Sequence, residues 1–533
     1  MKKFLFGASA LVLSTAFSGA AFADYTLTIL HTNDLHSRIE SINKYDSTCG
    51  AEDEGEGKCF GGVARVKAKV DEMRKALEGK NYLLLDAGDQ FQGSLFYTTY
   101  KGAAAAEFMN LIGYDGMAVG NHEFDDGPAG LAGFLDKVKF PVISSNLDMA
   151  NEPLLKDRVA ETLVFERGGE KIGVISSLAE DTVETSSPGA GVGFINSENA
   201  LKAAVAKLQA EGVNKIIALT HEGYVKDKEI AANVPGIDVI VGGHSHTLLS
   251  NTQEKAEGPY PTVVKNAEGK DVPIVTAYAY SKFLGDIEIT FDDEGNVIKA
   301  EGEPILLDAS VKPDEAVLAR VAELAKPLDE VRNQVIAEST GVIEADRTIC
   351  RAQECEMGNL VADAMLDRVK AQGIQIAIQN GGGLRASIDA GPVTKGEVLT
   401  VLPFQNTLAT FRLKGADVVA ALENGASQIE EGAGRFSQVA GLKYTFDKSK
   451  PAGERISDVM VEENGAFAPL EADKVYGVVS NNYMRAGGDG YKVFASGGMN
   501  AYDFGPDLAD VVADYLAAKN GYTPYTDGRI TAK

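Results

Sequence analysis

The chain has 533 residues, too many for one ordinary domain, and its 44% apolar and 24% charged content is that of a globular soluble protein. The formal net charge of -26 excludes binding to nucleic acid or to anionic membranes, both of which need a basic footprint. An acidic chain that handles an anionic substrate needs a locally positive site, and bound metal ions are one way to build it.

The N-terminus comes first. Lys2 and Lys3, the apolar run FLFGASALVLSTAF and the small-residue AFA before Asp24 read as a secretory signal peptide over residues 1–23, cleaved after Ala23. A periplasmic or secreted protein is therefore expected. No later segment approaches the roughly 20 apolar residues of a membrane span, and the terminal DGRITAK carries no hydrophobic anchor tail, so no membrane anchor is expected.

Export changes how the four cysteines are read, because oxidising compartments favour disulfides. They fall as two local pairs, Cys49 with Cys59 and Cys350 with Cys355. Of the three possible connectivities the two local loops are simplest. Cys49–Cys59 would close the acidic GAEDEGEGK, which lacks the apolar residues to order itself. A zinc site is the competing reading, although neither pair has C-x-x-C spacing.

From Tyr25 to about Asp308, β-rich apolar runs alternate with helical patterns. YTLTILH, NYLLLDAG, DGMAVGN, FPVISSN, KIGVISS, NKIIALTH and IDVIVGGH read as strands, while GVARVKAKVDEMRKALEG and SENALKAAVAKLQAEG have helical periodicity and end in Gly. This alternation predicts a layered α/β domain over residues 24–311. It closes with the hairpin GDIEITFDDEGNVIKAEGEPILLD, turning at DEGN. Lys312 to Ser339 is a polar, amphipathic helical stretch interrupted by Pro327, read as an inter-domain linker. MGNLVADAMLDRV, IQIAIQNGGG, TLATFRLKG and KVYGVVSNN then build a second α/β domain over residues 340–533.

All six histidines (His31, His36, His122, His221, His244 and His246) lie in the first domain, at or just beyond strand ends. Open α/β sheets place their ligand sites there. HTNDLH offers Asp34 and His36, DAGDQ offers Asp89, GNHEFD offers Asn121 and His122, and THEG with GGHSH adds His221, His244 and His246. Carboxylate and imidazole ligands without thiolates suit divalent Zn, Mn, Co or Mg. There are more candidate ligands than one tetrahedral ion can use. Two ions about 3.5–4 Å apart, bridged by a carboxylate, are the device used on phosphate esters. His31 reads as a packing residue, and Glu123 and Asp126 as structural or solvated.

In the second domain, CRAQECEMGN supplies Arg351, and QNGGGLRASI supplies Asn380 and Arg385 beside a glycine run that allows close backbone approach; two arginines could clamp a phosphate or carboxylate bidentately. LPFQN and NNYMRAGGDGY supply aromatic side chains able to stack on a nucleobase.

The ordered series D-x-H, G-D, G-N-H-E, H and G-H-x-H resembles the signature of calcineurin-like metallophosphoesterases. With ILHTNDLHSR, LLLDAGDQFQGS and GNHEFDDG, nearly the whole mature chain is similar to the 5′-nucleotidase family. The resemblance implies an N-terminal α/β/β/α sandwich, a helical linker and a C-terminal α/β substrate-binding domain. It implies two divalent metal ions, zinc first and Mn, Co or Mg as alternatives. Asp34, His36, Asp89 and His246 would hold one ion, and Asp89, Asn121, His221 and His244 the other, with Asp89 as bridge. His246 departs from the family, which commonly has Gln or Asn there. His122 would be the reacting group and Asp125 its orienter. Arg347, Arg351, Asn380 and Arg385 would bind substrate, and Phe404 and Tyr483 would grip the base, with Tyr standing where Phe is common. Asp489 would hold ribose, Asn406 would line the site and Gly441 would offer a backbone contact near the base. The implied activity is hydrolysis of nucleoside 5′-monophosphates to nucleoside and phosphate, by in-line attack of a hydroxide generated at the ions. Cleavage of UDP-sugars, NAD or 2′,3′-cyclic nucleotides is the alternative, and a non-catalytic nucleotide-binding protein the remoter one. A small nucleotide is the expected partner, and no protein partner is expected.

Overall fold

The computed structural model describes residue 1 and residues 24–533, apart from 44–47, 181, 386, 403, 464, 504 and 520. Residues 2–23 of the expected leader lie outside the described residues.

The N-terminal strands that frame the layers include β1 (Tyr25–Thr32), β2 (Tyr82–Asp86), β3 (Gly116–Ala118), β4 (Val142–Ile143), β5 (Glu170–Leu178), β6 (Ile216–His221), β7 (Val239–Gly242), β8 (Asp271–Val275), β9 (Phe283–Phe291) and β10 (Val297–Gly302). They form two sheets. The first runs β10-β9-β1-β2-β3-β4 with β1 to β4 parallel, and the second contains β8-β7-β6-β5, also parallel. The expected closing hairpin is β9 and β10, antiparallel, and β9 completes the first sheet beside β1.

Strand alternation decides the layers. Leu27 and Ile29 of β1 and Leu83 and Leu85 of β2 point into a buried layer with Val174, Ile217, Leu219, Val239 and Val241 of the second sheet. Leu30 and Leu84 point the other way, against a helical layer that includes Val66 and Val70. Helix Ser197–Ala210 covers the outer face of the second sheet through Leu201, Val205 and Leu208. The result is the α/β/β/α sandwich, with every parallel strand end of both sheets opening at one edge.

The stretch expected as an interrupted helical linker is corrected in two places. Helix Glu315–Arg332, capped by the Asp314 carboxylate on the Val317 N–H, continues through Pro327. The proline removes one helical N–H. However, Val317, Val321 and Leu328 lie on one face and bury into the N-terminal core, which holds the helix on both sides of it. Tyr100 donates to the Leu324 carbonyl and Arg320 pairs with Glu107, adding polar ties. Val335–Ser339, the end of the stretch, is a strand paired antiparallel with Gly391–Thr394, as its Val-Ile start favours.

The C-terminal region is built on β11 (Ile376–Asn380), β12 (Leu408–Lys414), β13 (Ser437–Ala440), β14 (Val475–Asn481) and β15 (Met499–Tyr502), in the order β13-β11-β14-β12-β15. Helices Glu356–Val369 and Leu508–Lys519 contribute to one core of this region, and helix Gly415–Ala426 to another. Both local disulfides are formed, Cys49–Cys59 and Cys350–Cys355. Among the described residues no helix is long and apolar enough to cross a membrane.

Candidate active site

Seven side chains converge where the parallel strands end. Asp34 and His36 follow β1, Asp89 follows β2 and Asn121 follows β3, while His221 ends β6 and His244 and His246 follow β7. Five of them leave their strands in the left-handed region: Asp34 (φ 53°), His36 (48°), Asp89 (60°), His244 (77°) and His246 (52°). Such residues are uncommon outside glycine, and each costs about 1–3 kcal/mol. The turns aim carboxylates and imidazoles inward from strands that by themselves would send them past one another.

The donor atoms of Asp34, His36 and His246 all lie within 4.8 Å of one another, as do those of Asp89, His221 and His244. Asp89 Oδ2 stands between the groups, 3.1 Å from His221 Nε2 and 3.7 Å from His36 Nε2. It is buried, and the imidazoles of these two groups are its polar neighbours. His36 Nε2 faces His246 Nε2 at 2.9 Å, and Asn121 Oδ1 lies 2.9 Å from His244 Nδ1 and 3.2 Å from His221 Nε2. Two imidazole lone pairs that close repel unless a proton or a cation lies between them. The outward nitrogens are spoken for: His36 Nδ1 donates to the Phe91 carbonyl at 3.1 Å and His221 Nδ1 to the Ala87 carbonyl at 2.6 Å. That arrangement fixes the tautomer presenting Nε2 inward, as metal-ligating histidines require. A carboxylate, imidazole and amide donor set with a carboxylate oxygen at its centre fits divalent metal ions.

Electrostatics agree. Burial, helped by neighbouring imidazoles, holds His36 well below its usual range and lowers His244 to about 3 and His246 to about 4. These rings are therefore neutral, with lone pairs free. Burial also disfavours charge on His221, but the Asp89 carboxylate beside it outweighs this and pushes it up to about 10. Burial raises Asp34 to about 8. Without an ion the cluster holds protons, which a cation would displace.

His122 is arranged differently. Its Nδ1 is 2.7 Å from Asp125 Oδ2, and Ser186 Oγ donates to Asp125 Oδ1 at 2.8 Å. Burial pulls its pKa down, but the fields of Asp125, Asp89 and Glu123 prevail and raise it to about 9. One donor atom of His122 also falls within 4.8 Å of His36 and Asp89 donors, so the ring reaches the edge of the cluster. Ser186 is not legible in the sequence, since it comes from a segment 61 residues away with no motif around it. His31 is a packing residue, fully buried, with Nε2 2.8 Å from the Tyr260 hydroxyl. Asp126 is bound by Tyr97 and Lys101 at the surface. Glu123 is fully buried and accepts backbone N–H groups from the Asp89 loop.

In the C-terminal region Asn380, at the end of β11, donates from Nδ2 to Asp489 Oδ2 at 2.7 Å, and the Tyr483 hydroxyl donates to Asp489 Oδ1 at 3.0 Å. Tyr483 is 48% exposed, which leaves a ring face open. Asn481, unremarked in the sequence, ties the corner together by donating to Asn380 Oδ1 and capping helix Asn482–Arg485. Arg351 is buried and donates to the Gly432 carbonyl. Arg385 is exposed, with its guanidinium 5.5 Å from the Phe404 ring centroid. Asn406 is half-buried, its carbonyl taken by the Leu508 N–H. The side chain of Arg347 lies outside the described residues.

Gly441 does not join this corner. Pairing of Ala377 with Ala440 and Asn380 with Ser437 puts Gly441 at the opposite end of β11 from Asn380, about 13 Å away at ~3.3 Å per residue. Its carbonyl is used by Glu462. The glycine beside Asp489 is Gly434, whose carbonyl accepts the Gly382 N–H and where an added Cβ would stand 3.4 Å from Asp489 Oδ2. A cavity of about 1010 Å³ separates the two regions, lined by Asp125 and Ser186 on one side and Gln405 and Tyr502 on the other.

Residues 27–248 match the calcineurin-like phosphoesterase family model, and residues 335–496 match that of the 5′-nucleotidase C-terminal domain. The 5′-nucleotidase of Rattus norvegicus is 38% identical over 527 residues, covering 95% of this chain and 90% of that one. The crystal structure of a 5′-nucleotidase precursor from Thermus thermophilus is 43% identical with a TM-score of 0.63, covering 95% and 99% of the two chains. The Haemophilus influenzae NAD nucleotidase is 27% identical with a TM-score of 0.76, covering 96% and 100%.

Proposed function

The chain belongs to the 5′-nucleotidase family of calcineurin-like phosphoesterases, and on that premise we propose that it is an exported metal-dependent hydrolase releasing phosphate from nucleoside 5′-monophosphates. The observation that carries this reading is the buried Asp89 carboxylate standing between two groups of inward-facing carboxylate and imidazole donors. Asp34, His36, Asp89 and His246 would hold one divalent ion and Asp89, Asn121, His221 and His244 a second, with zinc favoured by the imidazole-rich donor set. When bound, such ions supply Lewis acidity, acidifying water and neutralising phosphoryl charge.

The remaining chemistry belongs to the chain. His122, charged and oriented by Asp125, donates to phosphoryl oxygens or to the departing ribose 5′-oxygen. Arg351 and Arg385 bind the phosphate, Phe404 and Tyr483 sandwich the base, and Asp489 takes the ribose hydroxyls, with Gly434 allowing the close approach. Phosphate chemistry and nucleoside recognition thus sit on separate domains, the division falling at the helix Glu315–Arg332 and the strand that follows. Closure of the second domain over the first would deliver the phosphate to the cluster.

A second reading, cleavage of the diphosphate in NAD or UDP-sugars, is favoured by the full-length similarity to a protein named NAD nucleotidase. Release of phosphate from AMP, of UMP from UDP-glucose and of AMP from NAD, each with and without chelator, tests both. Chelator-sensitive release from AMP is expected, and absence of such release from all three would overturn the reading.

A further inference from the structure

Glu123 is neither an expected ion ligand nor an expected proton donor, yet it sits where two ligand-bearing loops meet. Its carboxylate is fully buried and accepts four backbone N–H groups. Oε2 takes those of Asp89 at 2.9 Å and Gly120 at 2.7 Å, and Oε1 takes those of Gln90 at 2.8 Å and Phe91 at 3.3 Å. Three of these amides belong to the loop that carries Asp89, and the fourth to the loop that carries Asn121. One carboxylate therefore fastens two ligand-bearing loops from different strands to each other.

The fastening is tight. A Cβ added to Gly120 would stand 2.3 Å from Asp89 Oδ1 and 2.8 Å from Glu123 Oε2, so only glycine lets the loops approach this closely. The Asp89 loop enters with φ 60° at Asp89 and continues with φ 65° at Gln92, a conformation that needs outside restraint. Next to this, the His122 N–H holds Asp89 Oδ1 at 2.9 Å, which leaves Oδ2 as the oxygen turned to both imidazole groups.

We propose that Glu123 is the positioning residue that sets the spacing of the two ion sites, by fixing the backbone of the bridging Asp89 against the Asn121 loop. Four backbone donors satisfy its carboxylate and hold the two loops together, so its part in their spacing is geometric. Replacing one oxygen with an amide nitrogen would turn an N–H₂ toward two N–H donors and push the loops apart. The inference rests on the two-ion reading of the same cluster.

The test uses Mn²⁺ on chelator-treated full-length protein, with calorimetry for the affinity of each equivalent and electron paramagnetic resonance for spin coupling. The unaltered protein is expected to show a coupled pair at two equivalents. Glu123→Gln, and independently Gly120→Ala, should bind the first equivalent within threefold of the parent, bind the second at least tenfold more weakly, and lose the coupled signal. Parental affinity and coupling in Glu123→Gln would overturn this inference alone. Failure of both variants to fold, read by circular dichroism, would also overturn it, since Glu123 would then hold the domain and not the spacing. A parent with no coupled pair would overturn the two-ion reading and this inference with it.

Discussion

Replacing His122 by alanine separates the two roles its surroundings allow. The ring sits 2.7 Å from Asp125 and is pushed up to about 9 from an ordinary 6.5, which corresponds to roughly 3 kcal/mol in favour of its charged form. If that charge assists the leaving oxygen, His122→Ala should lower kcat for AMP by about 10²–10⁴-fold. Asp125→Asn should lower it by up to about 10²-fold, the equivalent of the same 3 kcal/mol. The double variant should be no worse than His122→Ala, because both residues act through one proton. KM should change little. The assay pairs phosphate release with elemental analysis of the purified protein, because one His122 donor atom lies within 4.8 Å of His36 and Asp89 donors. Metal content equal to the parent's is expected. A drop in bound metal alongside the lost activity would show that His122 is a ligand and refute its assignment as proton donor.

Three further outcomes are expected. Asp89→Asn keeps the shape but removes the charge shared by both imidazole groups, so bound metal should fall below one ion per chain by elemental analysis, with activity lost in proportion. Tyr483→Ala removes a half-exposed stacking face worth about 1–3 kcal/mol; the KM for AMP should rise about 5- to 100-fold while metal content stays unchanged, and an unaltered KM would place the base elsewhere. His31 is held neutral by burial down to about pH 3. The unfolded chain takes up its proton below 6.5 and the folded one does not, so its contribution is full above pH 6.5 and falls by about 1.4 kcal/mol per unit between 6.5 and 3. Thermal unfolding of His31→Gln should therefore depend less on pH than the parent's across that range, and parallel curves for the two would contradict this.

The metal-binding half of the molecule is largely legible before folding is considered. Parallel strands must end on the same edge of their sheets, and an apolar run followed by Asp, Asn or His marks each end, so Asp34, Asp89, Asn121, His221, His244 and His246 can be grouped by position alone. Local chemistry likewise specifies the cysteine pairs, whose separations of 10 and 5 residues leave little choice of partner. The substrate corner is less legible. Gly441 and Gly434 look alike in sequence, and only the register of β11 against β13, set by long-range pairing, puts the second beside Asp489. Pro327 reads as a break because helix propensity is local, whereas the burial of Val321 and Leu328 that keeps the helix continuous is tertiary. The same distinction governs the crowded GNHEFDDG. Its composition supplies an amide, an imidazole and carboxylates, but which of them bind, react or brace depends on what other loops bring to each. Asp125 meets Ser186 from 61 residues away, and Glu123, which composition cannot tell from a solvated acid, collects four amides from two loops. Sequence determined which chemistry was present and at which edge of the sheets. How these groups are brought together was decided by backbone groups and left-handed turns that no side-chain pattern records.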